Sequence, residues 1–226
     1  MRLAAMISGG KDSICALTCA LREHEVGQLV NVRPVEDSLM YHVPCASLTS
    51  LISEVTGIPL VSGVSASYDD ELDLLRSILQ DLEADGIVAG TIASNYQMSR
   101  LKRLCDQLNL ELYAPLWNHG GERLLRAMAR SMDIAIVQVA AYGMDESWLG
   151  RRLDDAATDD LCKLHRKYGV HLMGEGGEYE TLVLDAPIFN KRISLTDYEK
   201  KWFDGQCRGY IEIHKLELQT KMRIRR

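Results

Sequence analysis

Between residues 3 and 116, short apolar runs alternate with stretches of helical period, and that alternation limits the fold more than any other feature. Leu3–Ile7 precedes Ser13–Glu25, in which Ile14, Leu17 and Leu21 recur at helical spacing. Leu29–Val35 precedes Ala46–Val55, Pro59–Val64 precedes Asp69–Leu82, and Ile87–Ile92 precedes Tyr96–Leu108; Leu110–Leu116 closes the series. Five such runs with helices between them predict βαβ units, a mainly parallel five-stranded sheet and right-handed crossovers. Gly57-Ile58-Pro59 and Asp85-Gly86 are suited to end one helix and lead into the next strand.

The alternation loosens after Pro115-Leu116-Trp117, where Asn118-His119-Gly120-Gly121 forms a turn-rich break. Beyond it the pattern predicts a helix over Glu122–Met132, a strand over Ile134–Ala141 and a helix over Asp155–Tyr168. Strand-like runs follow at Val170–Met173 and Thr181–Leu184, and Tyr210–Leu218 alternates as a half-buried strand does. The 226 residues therefore divide into an α/β domain over 1–117 and a smaller α+β domain over 118–226.

Composition excludes several classes. No apolar run approaches the roughly 20 residues that cross a bilayer, and the short apolar start runs into glycines and a lysine rather than a cleavage site. A cytoplasmic protein is expected. The charge balance, 26 Lys and Arg against 32 Asp and Glu, gives −6 and argues against nucleic acid as the main partner. The six cysteines form no C-x-x-C pair, so neither a zinc knuckle nor a dithiol redox motif is indicated. Cys15 and Cys19, four apart, share a helix face as small hydrophobes. The six histidines show no metal-ligand spacing; His171 adjoins an acidic motif, and His42 follows the second predicted strand. Nothing in the pattern fixes the oligomeric state, and a homo-oligomer is compatible with it.

In an open parallel sheet, ligands bind at the carboxyl ends of the strands, beside the point where strand order reverses. The loop after the first strand reads Ser8-Gly9-Gly10-Lys11-Asp12-Ser13 and opens a helix. The glycines allow a tight turn and close approach to an anion, and the N–H groups of the helix start point at it. Lys11 adds a positive charge, Asp12 can hold a magnesium ion, and Ser8 and Ser13 supply hydroxyls. A plain turn with a helix cap is the alternative. The loop is not the G-x-x-x-x-G-K-[ST] type of mononucleotide kinases.

A second motif, Gly174-Glu175-Gly176-Gly177-Glu178-Tyr179-Glu180-Thr181, sets three carboxylates among three glycines. By composition alone it is a polar turn between strands; the mutual repulsion of its acids is relieved if a cation occupies it.

Ser8–Ser13 resembles the pyrophosphate loop of N-type ATP pyrophosphatases, the PP-loop or HUP-like superfamily, which cleave ATP between its α and β phosphates. Gly174–Thr181, continuing through Leu182-Val183-Leu184-Asp185-Ala186-Pro187, is similar to the signature of the diphthine–ammonia ligase family. Gly90–Gln97 with Arg100, Pro115-Leu116-Trp117 and Tyr168-Gly169-Val170-His171 match as well, so the resemblance runs from residue 1 to about residue 193. It is to the short, archaeal-type form, eukaryotic relatives being expected to carry further domains.

The resemblance implies ATP-dependent amidation, with ammonia, of the diphthine carboxylate on translation elongation factor 2. It also implies an acyl-adenylate, AMP and pyrophosphate as products, and Mg2+ at Asp12. Lys11 and Asp12 would be catalytic, and Ser8, Gly9, Gly10, Lys11, Asp12, Ser13, Ser94, Tyr96 and Gln97 would bind nucleotide. Arg100, Glu175, Gly176, Gly177, Glu178, Tyr179, Glu180 and Thr181 would bind substrate, the acids attracting ammonium or the fixed cation of diphthine. Tyr142, Trp148 and Tyr179 are near enough in sequence to add cation–π contacts, with packing as the alternative. Helix capping by Ser94 or Asn95 is likewise an alternative.

Three rivals remain open at this stage: a tRNA-thiolating relative, disfavoured by the acidic charge and missing C-x-x-C; a glutamine amidotransferase, disfavoured because Arg2 follows Met1 and no cysteine lies between glycines; and a nucleotide sensor without chemistry.

Overall fold

A computed structural model describes residues 1–34, 45–65, 70–119 and 121–221. Val35, His42, Asp69, Gly120 and residues 222–226, named or spanned above, lie outside these. Among the described residues no helix is long and apolar enough to cross a membrane. The chain groups into two compact units, 1–53 with 58–120, and 54–57 with 121–226.

The first unit is a five-stranded sheet of order β3-β2-β1-β4-β5. Its strands are β1 (Arg2–Met6), β2 (Glu25–Pro34), β3 (Leu60–Ser65), β4 (Gly86–Val88) and β5 (Glu111–Tyr113), and all four pairings are parallel. Its helices are α1 (Lys11–Glu23), α2 (Cys45–Thr56), α3 (Glu71–Gln80) and α4 (Asn95–Leu108). The order has a direct consequence. The chain steps from β1 to β2 to β3 in one direction, then returns past β1 to β4 and β5. Right-handed crossovers therefore send α1 and α2 to one face and α3 and α4 to the other. The packing agrees: Leu75 and Leu79 of α3 join Leu101 and Leu104 of α4 on Ala4, Val30, Ile87 and Ala89. The direction reverses between β1 and β4, so the carboxyl ends of those two strands form the switch point.

The second unit holds α5 (Glu122–Ser131), β6 (Asp133–Ala140), α6 (Asp155–Tyr168), β7 (Tyr179–Asp185), β8 (Lys191–Phe203) and β9 (Arg208–Thr220). The sheet order is β7-β6-β9-β8 with antiparallel pairing throughout. Its core gathers Leu125 and Met128 of α5, Leu161 of α6, Ile134 and Ile136 of β6, Val183 of β7 and Ile211 and Ile213 of β9, all nearly without exposure.

The sequence pattern missed β8 and misplaced one strand. In β8 the apolar alternation of Ile193 and Leu195 breaks where the register against β9 shifts around Asp197, so half the strand reads as charged. Val170–Met173 is not a strand. Gly169, left-handed at φ 75, ends α6, and the following residues turn back on themselves through Gly174 N–H to His171 O at 3.0 Å.

Candidate active site

The phosphate loop leaves β1 where its ladder with β2 stops. Gly9 takes φ 88, a left-handed conformation that a side chain disfavours, and Gly10 begins α1 from extended backbone. Two serines close the loop on itself. Ser13 Oγ donates to Gly10 O at 3.0 Å and accepts from Ser8 N–H at 3.3 Å, while Ser8 Oγ accepts from Gly10 N–H at 3.3 Å. The two hydroxyls lie 3.2 Å apart. The first amides of the 13-residue α1 are thus fixed at the positive end of its dipole.

Lys11 is 3% exposed, and its Nζ donates to Asp12 Oδ2 at 2.9 Å. The stem packs inward in the first turn of α1, and only the ammonium is committed, to the neighbouring carboxylate. Asp12 and the serine hydroxyls are hard oxygen donors, a set that suits Mg2+ shared with phosphate oxygens.

The segment after β4 reaches the same place. A Cβ added to Gly90 would lie 2.9 Å from Asp12 C and Ser13 N and 3.0 Å from Asp12 O, so this backbone rests directly on the loop's. The parallel β1–β4 pairing accounts for it. The side chains further along are differently employed. Ser94 caps α4 by accepting from Gln97 N–H at 3.3 Å, which is the capping alternative. Gln97 is exposed. Tyr96, 68% exposed, hydrogen-bonds Arg100 through its hydroxyl, and that guanidinium also stands 5.0 Å from the ring centroid. Arg100 therefore meets Tyr96 on α4, one turn away.

Asn31 escaped sequence reasoning. It sits on β2, is 8% exposed, and its Nδ2 donates to Ile7 O at 2.7 Å, immediately before the loop. A polar residue inside an apolar run, Leu29-Val30-Asn31-Val32, was the available signal.

In the second unit, Gly174–Glu178 forms the turn into β7, with Gly174 at φ 72 and Gly177 at φ 80. Glu178 braces it: Oε1 accepts from His171 N–H at 3.0 Å and Oε2 from Gly176 N–H at 2.8 Å. His171 Nδ1 accepts from the amides of Met173 and Glu175 at 3.3 and 3.4 Å. Both carboxylate oxygens of Glu178, one of the acids expected to attract a cation, thus accept backbone amides of the turn. Tyr179 is 2% exposed and donates from its hydroxyl to Leu172 O at 2.5 Å, so its ring belongs to the core. Alternation along β7 puts exposed Glu180 on the opposite face from Tyr179, with Thr181 following half-buried. Glu175 is half-buried, Gly176 is exposed and Gly177 half-buried. Trp148 is buried beneath the guanidinium of Arg151, 4.5 Å from its ring, and Tyr142 packs edge-on to Tyr168.

Two other features lie apart from these. A cavity of about 470 Å3 lies beside Asp133 and Asp185, at the end of β7 opposite the glycine turn. Two ion pairs lie across its lining: Arg152 meets Asp133 at 2.9 Å, and Lys221 meets Asp185 at 2.5 Å. Cys15 and Cys19 are half-exposed on the outer side of α1 rather than buried. A hydrogen bond from Cys15 lowers the Cys19 thiol to about 6, whereas the same bond, with burial, raises Cys15.

A glycine-lysine loop opening a helix at the switch point of a parallel five-stranded sheet defines an α/β protein of the nucleotide-binding kind. The model of the diphthamide synthase N-terminal domain matches residues 1–112, and that of the C-terminal domain matches residues 120–218. The chain belongs to the diphthamide synthase family.

The chain is 38% identical to the diphthine–ammonia ligase of Homo sapiens, with 98% of this chain and 94% of the relative covered. Its identity to that of Danio rerio is 33%, over 100% and 99%. With Saccharomyces cerevisiae the identity is 32%, and the match takes in 100% of this chain but 38% of the relative. The expected extra length of eukaryotic relatives thus holds for yeast and not for these vertebrates. A solved structure from Methanocaldococcus jannaschii, described as a predicted subunit of tRNA methyltransferase, covers 83% of the chain at 16% identity and a TM-score of 0.47.

Proposed function

We propose that this chain is an ATP-dependent diphthine–ammonia ligase. In this reading, a diphthine carboxylate oxygen attacks the α-phosphorus of ATP and pyrophosphate leaves. Ammonia then attacks the acyl carbon, AMP leaves, and diphthamide forms with release of a proton. The protein carrying diphthine is translation elongation factor 2. The observation that carries the reading is the phosphate loop, with its amides locked by Ser8 and Ser13 and abutted by Gly90, in a chain whose two units both match the family.

The residues have distinct tasks. The α1 amides and Lys11 hold the β and γ phosphates, favouring departure of pyrophosphate by placing positive charge where negative charge develops. Asp12 keeps the Lys11 ammonium in place and would hold Mg2+, which when bound neutralises phosphate charge. Gly9 and Gly10 let the backbone approach the phosphates, and Ser8 and Ser13 keep it in shape. Ser94 caps the helix that carries Tyr96, Gln97 and Arg100, the side chains available to orient nucleotide or substrate. In the second unit, Glu178, Tyr179 and the glycines Gly176 and Gly177 shape the turn. Glu175, Glu180 and Thr181 are the residues of that motif available to ammonium or diphthine.

The test is to incubate the protein with ATP, Mg2+, ammonium and diphthine-bearing elongation factor 2, then measure the mass of the modified peptide and the nucleotide products. Conversion of carboxylate to amide lowers the peptide mass by about 1 Da and should match AMP release one to one. ADP in place of AMP, or AMP with no mass change, would sink the proposal.

A further inference from the structure

Strand β1 ends its pairing with β2 at Met6, opposite Val30, and the Ile7 amide makes one more bond, to Val30 O at 2.9 Å. Strand β2 continues to Pro34 on β3, so its last residues project beyond β1. The Ile7 carbonyl is the last group before the phosphate loop, at the point where backbone pairing gives out. A side chain takes over there. Asn31 Nδ2 donates to that carbonyl at 2.7 Å, from 24 positions along the chain.

The other end of the same amide has a different status. Asn31 Oδ1 is buried and has no hydrogen-bond partner among the described residues. A buried acceptor left unsatisfied is a net loss for folding, whereas an apolar side chain of the same size would carry none. The amide cannot be turned to relieve it, because a carbonyl oxygen would then face the Ile7 oxygen. The contact with Ile7 is therefore what Asn31 contributes at this position.

We propose that Asn31 is a positioning residue for the phosphate loop in adenylyl transfer, in which the loop holds the departing pyrophosphate. It clamps the Ile7 carbonyl so that the loop from Ser8 leaves β1 in the one direction that aims the α1 amides at the phosphates. Two clamps then oppose each other across the loop: Gly90 backbone against Asp12 and Ser13 on the β4 side, and Asn31 against Ile7 on the β2 side. Without the second, the loop retains its internal serine bonds and the Gly90 contact but loses the side-chain anchor of its entry on the β2 side. It then moves as a body, and an ångström of misplacement costs a phosphate-transfer site about 100-fold in rate.

The inference rests on the phosphate-loop reading and not on the identity of the acceptor, so its test uses inorganic pyrophosphate as the probe. Asn31→Asp preserves shape and removes the donor, and Asn31→Leu removes both polar ends. At pH 8 both should bind pyrophosphate with Mg2+ at least about tenfold more weakly by calorimetry. Wherever turnover is measurable, AMP release should fall about 100-fold while the KM for ammonium stays unchanged. A purely structural asparagine would lower the melting temperature and leave the pyrophosphate affinity of the folded protein alone; that result overturns the proposal. Should neither variant fold, 15N-labelled wild-type protein decides. The Asn31 side-chain amide resonances should be protected from exchange and shift as pyrophosphate is added, and unchanged resonances at saturation would refute the clamp. Pyrophosphate binding with no diphthine amidation would leave the clamp standing and remove the ligase.

Discussion

Gly90→Ala isolates the contact between the β4 segment and the phosphate loop with one added methyl group. Its Cβ would sit 2.9 Å from Asp12 C and Ser13 N and 3.0 Å from Asp12 O, whereas relaxed carbon contacts lie at about 3.5–4.0 Å. Between roughly 0.5 and 1 Å must be found, and all three atoms are backbone in the first turn of a helix, where no rotamer change can yield. One outcome is that the clash remains as overpacking of about 1–3 kcal/mol, which lowers the melting temperature by about 2–4 °C for each kcal/mol in a chain of this size. The other is that the loop moves, in which case activity falls by up to about 100-fold. Because the Gly9-Gly10 loop is softer than the sheet, we expect loss of activity to dominate. AMP formation should drop at least about tenfold at 25 °C, well below the transition. The assay pairs AMP release with thermal unfolding followed by circular dichroism. A variant that melts early yet turns over normally would show that the β4 side absorbs the methyl, and the coupling of Gly90 to the loop would be refuted.

Lys11→Met should reduce AMP formation by about 100-fold or more, with little change in melting temperature, since an apolar chain replaces a buried ammonium and Asp12 keeps partial access to water; activity within twofold of wild type would remove Lys11 from the mechanism. Nucleotide chromatography should find AMP and pyrophosphate, with ammonium rather than glutamine as donor, and substrate-dependent ADP or equal use of glutamine in ammonia-free buffer would contradict this. Cys19 should react with iodoacetamide along a pH profile centred near 6, because its folded thiol lies below the ordinary value of 9.0 and its thiolate predominates above that midpoint, while Cys105, raised to about 11 by burial, stays inert; equal labelling of the two at pH 7 would rule out the Cys15–Cys19 hydrogen bond. Glu178→Gln should lower the melting temperature as well as activity, since one backbone N–H of the turn then faces an amide donor, and loss of activity with unchanged stability would restore a direct role in cation binding.

The fold of the first unit was legible because each of its strands is a short apolar run, and such runs between helices leave few arrangements other than a parallel sheet. Glycines and serines made the loop legible too, since their backbone and hydroxyl roles are local: Ser13 reaches Gly10 and Ser8 within five positions. What the pattern could not carry was long-range. Asn31 acts across 24 positions, and the Gly90 contact spans almost eighty residues, from β4 to the start of α1. Strand β8 was hidden by an irregularity that its partner alone reveals, since the pairing with β9 is locally broken on both sides of Asp197 and interrupts the apolar alternation there.

The acidic turn shows what charge counting leaves out when backbone donors are not visible. Three carboxylates among glycines look like a cation site because side-chain repulsion is the only interaction visible in a sequence. Glycines at positive φ also bend the chain so that its own N–H groups converge, and two of those amides, from His171 and Gly176, take both oxygens of Glu178. The charge is then held by the turn itself, and His171 accepts two further amides to complete it. Glu180, in contrast, lies on a regular strand, where backbone donors serve the ladder and the side chain alternates outward. The same three letters therefore divide by their backbone: an acid inside a glycine turn braces that turn, and an acid on the strand leaving it faces outward. If the turn recognises a cation, Glu175 and Glu180 are the residues to vary first, with Glu178 as the variant that reports on the frame.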